Sequence, residues 1–233
     1  MITSSIFRVF QAWDNFKKDE LSFFDDGGTM PSVSGFKIYA PVEPCNYTGQ
    51  KLIDTINKLV EERLNGRELN MMGCCIGPNG MLLLAQDPRL ANIKRLNLGG
   101  NKIGDIGAKL LAESEALSKL TWLELGGNDI GPEGVEILAK TATFKKLKTL
   151  NLYRNYLKDQ GAKILAEENS LTDLEEIDLA LNEIGDAGLL AMAHSKKFPN
   201  LVSVCIDNNF TGREARETAK LAPNFKKVQS LIL

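Results

Sequence analysis

The chain has 233 residues, of which 43% are hydrophobic and 25% are charged, and its formal net charge is −2. These values are typical of a globular protein, and so small a charge gives no general positive field that would attract nucleic acid or anionic lipid. No apolar stretch is long enough to cross a membrane, and the N-terminus lacks the basic segment and apolar run of a secretory signal. We therefore expect a cytoplasmic protein with no nucleic-acid or membrane partner and with reduced thiols at its cysteines, Cys45, Cys74, Cys75 and Cys205.

Residues 1–35 differ in composition from the rest of the chain, since they hold five of its ten phenylalanines. Their apolar residues recur at helical spacing: Ile6, Phe10, Trp13 and Phe16. This spacing predicts an amphipathic helix over about residues 5–20, which the glycines and proline that follow would end. We interpret residues 1–35 as a helical cap over the open end of the following structure. A helix that binds a partner or a membrane surface is the alternative, which the mixed charges of the segment disfavour.

Residues 36–65 resemble an incomplete strand–helix unit. The alternation from Phe36 to Ala40 predicts a short strand. The stretch from Gln50 to Leu64 places its apolar side chains on one helical stripe. We interpret the pair as a degenerate first unit of the pattern that follows.

Residues 66–233 repeat one pattern every 27 residues. An asparagine marks the same place in five successive copies: Asn101, Asn128, Asn155, Asn182 and Asn209. A constant spacing is expected when one structural unit is stacked on itself. In the first copy Cys74 takes the place of the asparagine.

The first half of each repeat predicts a strand. Apolar residues such as Leu123 and Leu125 alternate and face the core, whereas Trp122 and Glu124 face outward. The predicted core positions are Leu69, Met71, Leu96, Leu98, Leu123, Leu125, Leu150, Leu152, Ile177 and Leu179. The asparagine then closes the strand, because its amide can bond backbone groups that the sheet no longer pairs, in a ladder from repeat to repeat. Cys74 could do this only weakly.

The second half of each repeat predicts a turn and a helix. One glycine column lies at the turn and indicates a permissive backbone: Gly77, Gly104, Gly131, Gly185 and Gly212. A second column lies inside the helix and indicates close packing of helix on sheet: Gly80, Gly107, Gly134, Gly161 and Gly188. Proline or aspartate follows the first glycine, as is typical of the first turn of a helix.

These columns resemble those of the leucine-rich repeats, and the helical second half resembles the ribonuclease-inhibitor-like subfamily. The constant period, Cys74, Lys158 in the turn-glycine column and a polar last helix depart from that pattern. The resemblance implies an α/β solenoid, or horseshoe, with parallel strands on a concave face and helices on a convex face. It also implies binding of a protein partner on the concave face, and it supplies no catalytic residue or cofactor.

The outward strand positions are the candidate binding residues, because Trp, Tyr and Arg are enriched at binding hot spots. The predicted partner-binding residues are Arg95, Trp122, Glu124, Asn151, Tyr153, Arg154, Glu176 and Asp178. The alternative is that Arg95 merely covers Trp122 in a cation–π contact. A shared pocket holding Glu124 and Asp178 would instead favour an enzyme.

Catalytic signatures are otherwise lacking, and the single histidine, His194, is interpreted as a donor to carbonyls at a helix end. We therefore predict a protein that binds a partner and is not an enzyme. Two narrower roles are a regulator of a small GTPase or of the cytoskeleton, and a bacterial effector delivered into the host cytosol.

Val228, Leu231 and Leu233 begin a further strand in register. An open strand edge invites pairing with another chain, so we predict a homodimer through this edge, or a natural chain that continues beyond Leu233.

Overall fold

The computed structural model describes residues 47–233. The cap helix predicted for residues 1–35, the strand predicted from Phe36 to Ala40, and Cys45 lie outside this range. Within it, helices and strands alternate along the chain, as the sequence predicts.

The helices are α1 (Gly49–Arg63), α2 (Gly77–Ala85), α3 (Gly104–Ala112), α4 (Pro132–Lys140), α5 (Lys158–Glu168), α6 (Asp186–His194) and α7 (Arg213–Leu221). The strands are β1 (Leu64–Asn65), β2 (Glu68–Asn70), β3 (Arg95–Asn97), β4 (Trp122–Glu124), β5 (Thr149–Asn151), β6 (Glu176–Asp178), β7 (Ser203–Cys205) and β8 (Ser230–Ile232). Short 3-10 turns at Pro88–Leu90, Glu115–Leu117 and Phe225–Lys227 lead back towards the next strand.

The strands form one sheet in the order of the chain, from β1 to β8. From β2 onward all pairs are parallel, and residues 27 apart lie side by side, as Trp122 does with Arg95 and with Thr149. Within residues 47–233 only β1 pairs antiparallel, because Gly66, with φ +60°, lets the chain reverse within two residues into β2. The parallel register predicted from the repeat is therefore confirmed.

The core lies between the sheet and the helices. All ten predicted strand positions are buried, with at most 3% of their surface exposed. Phe144, Phe198 and Phe225 are equally buried where each helix returns to the next strand. Because the same columns fill every repeat, the buried residues form one continuous cluster along the stack.

The predicted asparagine ladder is present. The Asn101 Nδ2 donates to the carbonyls of Met71 at 2.9 Å and Leu98 at 2.7 Å. Its backbone N–H donates to Oδ1 of Asn128 at 3.0 Å, and the N–H of Asn128 donates to Oδ1 of Asn155 at 3.0 Å. Each amide thus satisfies buried backbone groups in its own repeat and in its neighbour.

The predicted need for a permissive backbone holds only at the first two turn glycines. Gly77 and Gly104 have φ of +57° and +58°, whereas Gly131, an extended N-cap residue, has φ −98°. Gly185 and Gly212 are N-cap residues with φ of −92° and −75°. Space is the better explanation at Gly131, because a Cβ there would lie 3.3 Å from a carboxylate oxygen of Asp105.

The carboxylate of Asp105 caps α4, the helix of the next repeat. Oδ1 of Asp105 accepts the N–H of Gly131 at 2.7 Å and of Gly134 at 3.0 Å, in the first turn of α4. Asp159 does the same for Gly185 and Gly188 at the start of α6. The aspartate column therefore satisfies free N–H groups of the following repeat, besides lying in the first turn of its own helix.

The helical glycines pack against turns and helices, not against the sheet. A Cβ at Gly107 would lie 2.4 Å from Cβ of Ile103, in the turn before its own helix. A Cβ at Gly188 would lie 3.0 Å from Cβ of Ala162 on the preceding helix. The sequence prediction of helix-on-sheet packing is corrected accordingly.

The cysteines are of two kinds. Cys74 is buried and Cys205 is half-buried, and both are free thiols. The Cys74 Sγ makes only a long contact of 3.7 Å to the carbonyl of Met72, as expected of a weak substitute for asparagine. Cys75 is disulfide-bonded, so the expectation of a reduced thiol is wrong for it. It lies in a loop with φ 50° and is partly exposed, not in a core or strand position.

Candidate functional site

The concave face consists of the outward side chains of β2–β8 and of the residue that follows each strand by two positions. Each parallel strand is three residues long with its middle residue turned into the core, so the first and third side chains face outward. Seven of the eight predicted binding residues lie on this face, on the consecutive strands β3 to β6 or just after β5. The eighth, Arg154, lies in the loop after β5 and is exposed.

Arg95 and Trp122 form the cation–π contact that was considered as an alternative to binding. The guanidinium carbon of Arg95 lies 4.2 Å from the centroid of the Trp122 ring. Nε of Arg95 also lies 3.0 Å from Oε1 of Glu68, so the guanidinium is held from two sides. Trp122 is still partly exposed. Arg95 therefore orders this part of the face without removing the indole from solvent.

The polar third residue of each strand from β2 to β6 holds the loop that follows it. The side chains of Glu124, Asn151 and Asp178 accept the N–H two positions further along, at 2.6, 2.7 and 2.9 Å. Asn97 makes the same bond to Gly99 at 3.0 Å and is buried. Three of the predicted binding residues thus have a structural role that the sequence analysis missed. The sequence feature that indicates this role is a polar acceptor that recurs at the same position of the repeat from Asn70 onward.

Two of these acceptors are carboxylates in an apolar setting. Burial raises the pKa of Glu124 to about 7, against the lowering effect of the bond from Gly126, and the negative charge of Asp178 raises it further. Burial also raises the pKa of Asp178, although its bond from Ala180 opposes this. Glu124 therefore changes charge near neutral pH.

A shallow groove crosses the concave face from β4 to β7. It is lined by Trp122, Glu124, Asn151, Glu176, Asp178 and Cys205, among others. It brings together Glu124 and Asp178, as the enzyme alternative required, yet both carboxylates already hold backbone N–H groups. Burial raises the pKa of the Cys205 thiol, which disfavours a thiolate nucleophile beside them. Both carboxylates are thus engaged in holding the loops that follow their strands.

Tyr153 and Arg154 are the predicted binding residues that follow β5. Tyr153 is half-buried, and Gly126 and Ala180 hold the equivalent positions just after the neighbouring strands β4 and β6. Arg154 has φ +53° in a column that is left-handed throughout: Gly73, Gly100, Gly127, Arg154, Leu181 and Asn208. This column was not predicted, although its first three members are glycines that lie 27 residues apart in the sequence.

Three exposed apolar residues in the loops after β5, β6 and β7 were also missed. Tyr156 is 50% exposed, Leu181 39% and Phe210 74%. We call these three side chains the rim. The repeat pattern marks this region only as the place of the asparagine, so it carried no prediction of exposure.

His194 is exposed at the end of α6, where its Nδ1 lies 2.9 Å from the carbonyl of Leu190, as predicted. No group of three or more His, Cys, Asp or Glu residues within 47–233 could hold a metal ion. In the same range, no helix is both long and apolar enough to cross a membrane.

A comparison with curated protein sequences returns no match. A family model described as Leucine Rich repeat matches in four places, at residues 67–85, 89–112, 116–139 and 170–193. Each match runs from a strand or the turn before it to the helix of the same repeat. These four stretches are therefore similar to leucine-rich repeats, in agreement with the parallel sheet and the register of 27 residues.

Proposed function

We propose that this chain binds another protein through its concave face and catalyses no reaction. Leucine-rich repeats generally mediate protein–protein interaction. The observation that carries the proposal is the pair of aromatic side chains, Trp122 and Tyr153, left partly exposed on the side of the sheet that faces away from the core. Large aromatic side chains in such positions are typical anchors of interfaces.

The order already present on this face supports the proposal. Arg95 is fixed between Glu68 and Trp122, and Asn151 is fixed by the N–H of Tyr153. Side chains that are held before a partner arrives lose less conformational entropy on binding. The cation–π contact is therefore compatible with a binding role for Trp122.

A pull-down with matched variants tests this. Wild-type chain, the concave variant Trp122→Ala/Tyr153→Ala and the convex control Lys163→Ala would be immobilised and exposed to extract of the native cells. Lys163 is exposed on α5. Proteins retained by wild type and by the control, but lost with the concave variant, are the expected result. A set of retained proteins that is the same for all three would contradict the proposal.

Narrower assignments rest on the sequence reasoning and are proposals in the same sense. They are the ribonuclease-inhibitor-like subfamily, a cytoplasmic location, and the lack of nucleic-acid or membrane partners. Regulation of a small GTPase or of the cytoskeleton, and delivery into a host cell as a bacterial effector, differ from one another in the partner. The proteins recovered in the pull-down would choose between them.

A further inference from the structure

The charge of the concave face is uneven. At its start Glu68 is neutralised by Arg95. From β4 onward the outward positions carry four carboxylates and no lysine or arginine. We call these four, Glu124, Glu176, Asp178 and Asp207, the acidic strip. Within residues 47–233, none of them forms an ion pair with a basic side chain.

Such a strip costs stability unless a cation joins it. Glu124 and Asp178 lie two strands apart, a separation of about 10 Å by the spacing of strands in a sheet. Both are largely withdrawn from water, and the charge of one acts on the other. Like charges in a poorly solvated groove repel, and a cationic side chain between them would relieve the repulsion. Asparagine, present in this column at Asn97 and Asn151, makes the same loop bond without the charge. The carboxylates are therefore not needed to hold the loops.

The rim offers apolar side chains in the loops that follow β5, β6 and β7. Leu181 is the clearest case, because its φ is +55° in the column where Gly73, Gly100 and Gly127 stand in earlier repeats. A branched apolar side chain is strained in that conformation, and glycine is not. Leu181 is also 39% exposed, so part of its side chain is free to contact a partner. Tyr156 and Phe210 lie in the equivalent loops on either side, both at least half exposed.

We propose that the partner presents a basic segment, with lysine or arginine side chains over Glu124, Glu176 and Asp178 and apolar side chains against the rim. This inference rests on the proposed function and specifies the chemistry of the partner. A segment that carries both basic and apolar residues can contact both features.

Model peptides test the inference without knowledge of the partner. The probes are a fluorescent peptide of alternating lysine and leucine, the same peptide with glutamate for lysine, and the same peptide with serine for leucine. Binding to the full chain would be measured by fluorescence anisotropy at a pH well above 7, at which Glu124 is ionised. We expect the lysine–leucine peptide to bind, and more tightly than the lysine–serine peptide. We expect high salt to weaken its binding, and we expect the glutamate peptide not to bind.

The matched variants separate charge from structure. The triple variant Glu124→Gln/Glu176→Gln/Asp178→Asn keeps every hydrogen-bond acceptor and should weaken the lysine–leucine peptide about tenfold or more. The control Glu133→Gln/Glu167→Gln/Glu214→Gln removes the same charge from exposed helix positions and should change little. Failure of the lysine–leucine peptide to bind at low salt, or an equal loss in the two triple variants, would overturn the inference.

The rim has its own readout. Leu181→Gly removes the apolar side chain at a position whose backbone glycine adopts freely, and it should weaken the lysine–leucine peptide about threefold or more while leaving the lysine–serine peptide unchanged. A folded variant with unchanged affinity for both peptides would remove the rim from the proposal. If the partner recovered in the pull-down needs Trp122 and Tyr153 but is insensitive to salt and to the acidic triple variant, the proposed function stands and this inference falls.

Discussion

Replacing Glu124 by glutamine is expected to stabilise the protein above neutral pH and to leave its stability unchanged in acid. The Glu124 pKa is about 7 in the folded protein, against an ordinary value of 4.5. Below 4.5 the folded and unfolded states both hold the proton, so the group contributes nothing to the difference between them. Between 4.5 and about 7 only the folded state holds it, so each rise of one pH unit lowers the free energy of unfolding by about 1.4 kcal/mol.

Above a pH of about 7 the free energy of unfolding has fallen by the full amount, about 3 kcal/mol. Glutamine keeps an oxygen that can accept the N–H of Gly126, so the loop after β4 should keep its hydrogen bond. The variant should therefore exceed wild type by up to about 3 kcal/mol at alkaline pH and match it at a pH below 4.5. Asp178 is present in both proteins, so its direct contribution to the free energy of unfolding largely cancels when the two are compared.

Urea unfolding followed by circular dichroism across this pH range measures the difference. Glu167→Gln on α5, an exposed position, serves as the control and should show no pH-dependent gain. A Glu124→Gln protein that is less stable than wild type at alkaline pH, or that differs from it by the same amount at every pH, would refute the reasoning. It would show that the carboxylate is solvated or already paired.

Three further predictions concern the stack and its edge. Leu125→Ala should lower the free energy of unfolding by about 2 to 5 kcal/mol through lost burial and a cavity, and an unchanged urea midpoint would count against the core assignment. Asp105→Ala should lower the free energy of unfolding by about 1 to 2 kcal/mol, because the N–H groups of Gly131 and Gly134 lose their cap. Asp105→Asn keeps an acceptor oxygen and should restore part of this stability. If both variants lose the same stability, the charge of Asp105 is responsible and not its hydrogen bonds. Sedimentation equilibrium tests the homodimer proposed through β8: a dimer that Leu231→Lys dissociates is the expected result, whereas a monomer in both cases would exclude this edge as an interface.

The sequence was sufficient to predict those features that follow from the residue pattern of a single repeat. The inward leucines and the Asn101–Asn128–Asn155 ladder follow from alternation along a strand and from the hydrogen-bonding capacity of an amide, and both are confirmed. Residues 27 apart lie side by side because stacking converts sequence spacing into strand neighbours. The face that carries Trp122 and Tyr153 could therefore be predicted before the structure was known.

Features that depend on two repeats at once could not be predicted in this way. Gly131 and Gly104 occupy the same column, but only Gly131 faces a carboxylate from the preceding repeat, so their backbones differ. Glu124 and Asp178 bond the N–H groups of Gly126 and Ala180 only because of the way the chain bends after each strand. The residue pattern does not show this bend, so both carboxylates were predicted to be free for binding. Periodicity records which residue types recur, and it does not record the φ angle or the neighbour that makes each type necessary.

The affinity of the recovered partner for the concave variants tests the central claim most directly. Trp122→Ala and Tyr153→Ala, measured singly by calorimetry against the convex control Lys163→Ala, should each weaken binding by more than about 1 kcal/mol while the circular dichroism spectrum stays that of wild type. If both variants keep the fold and bind the partner as tightly as the control does, the concave face is not the binding surface.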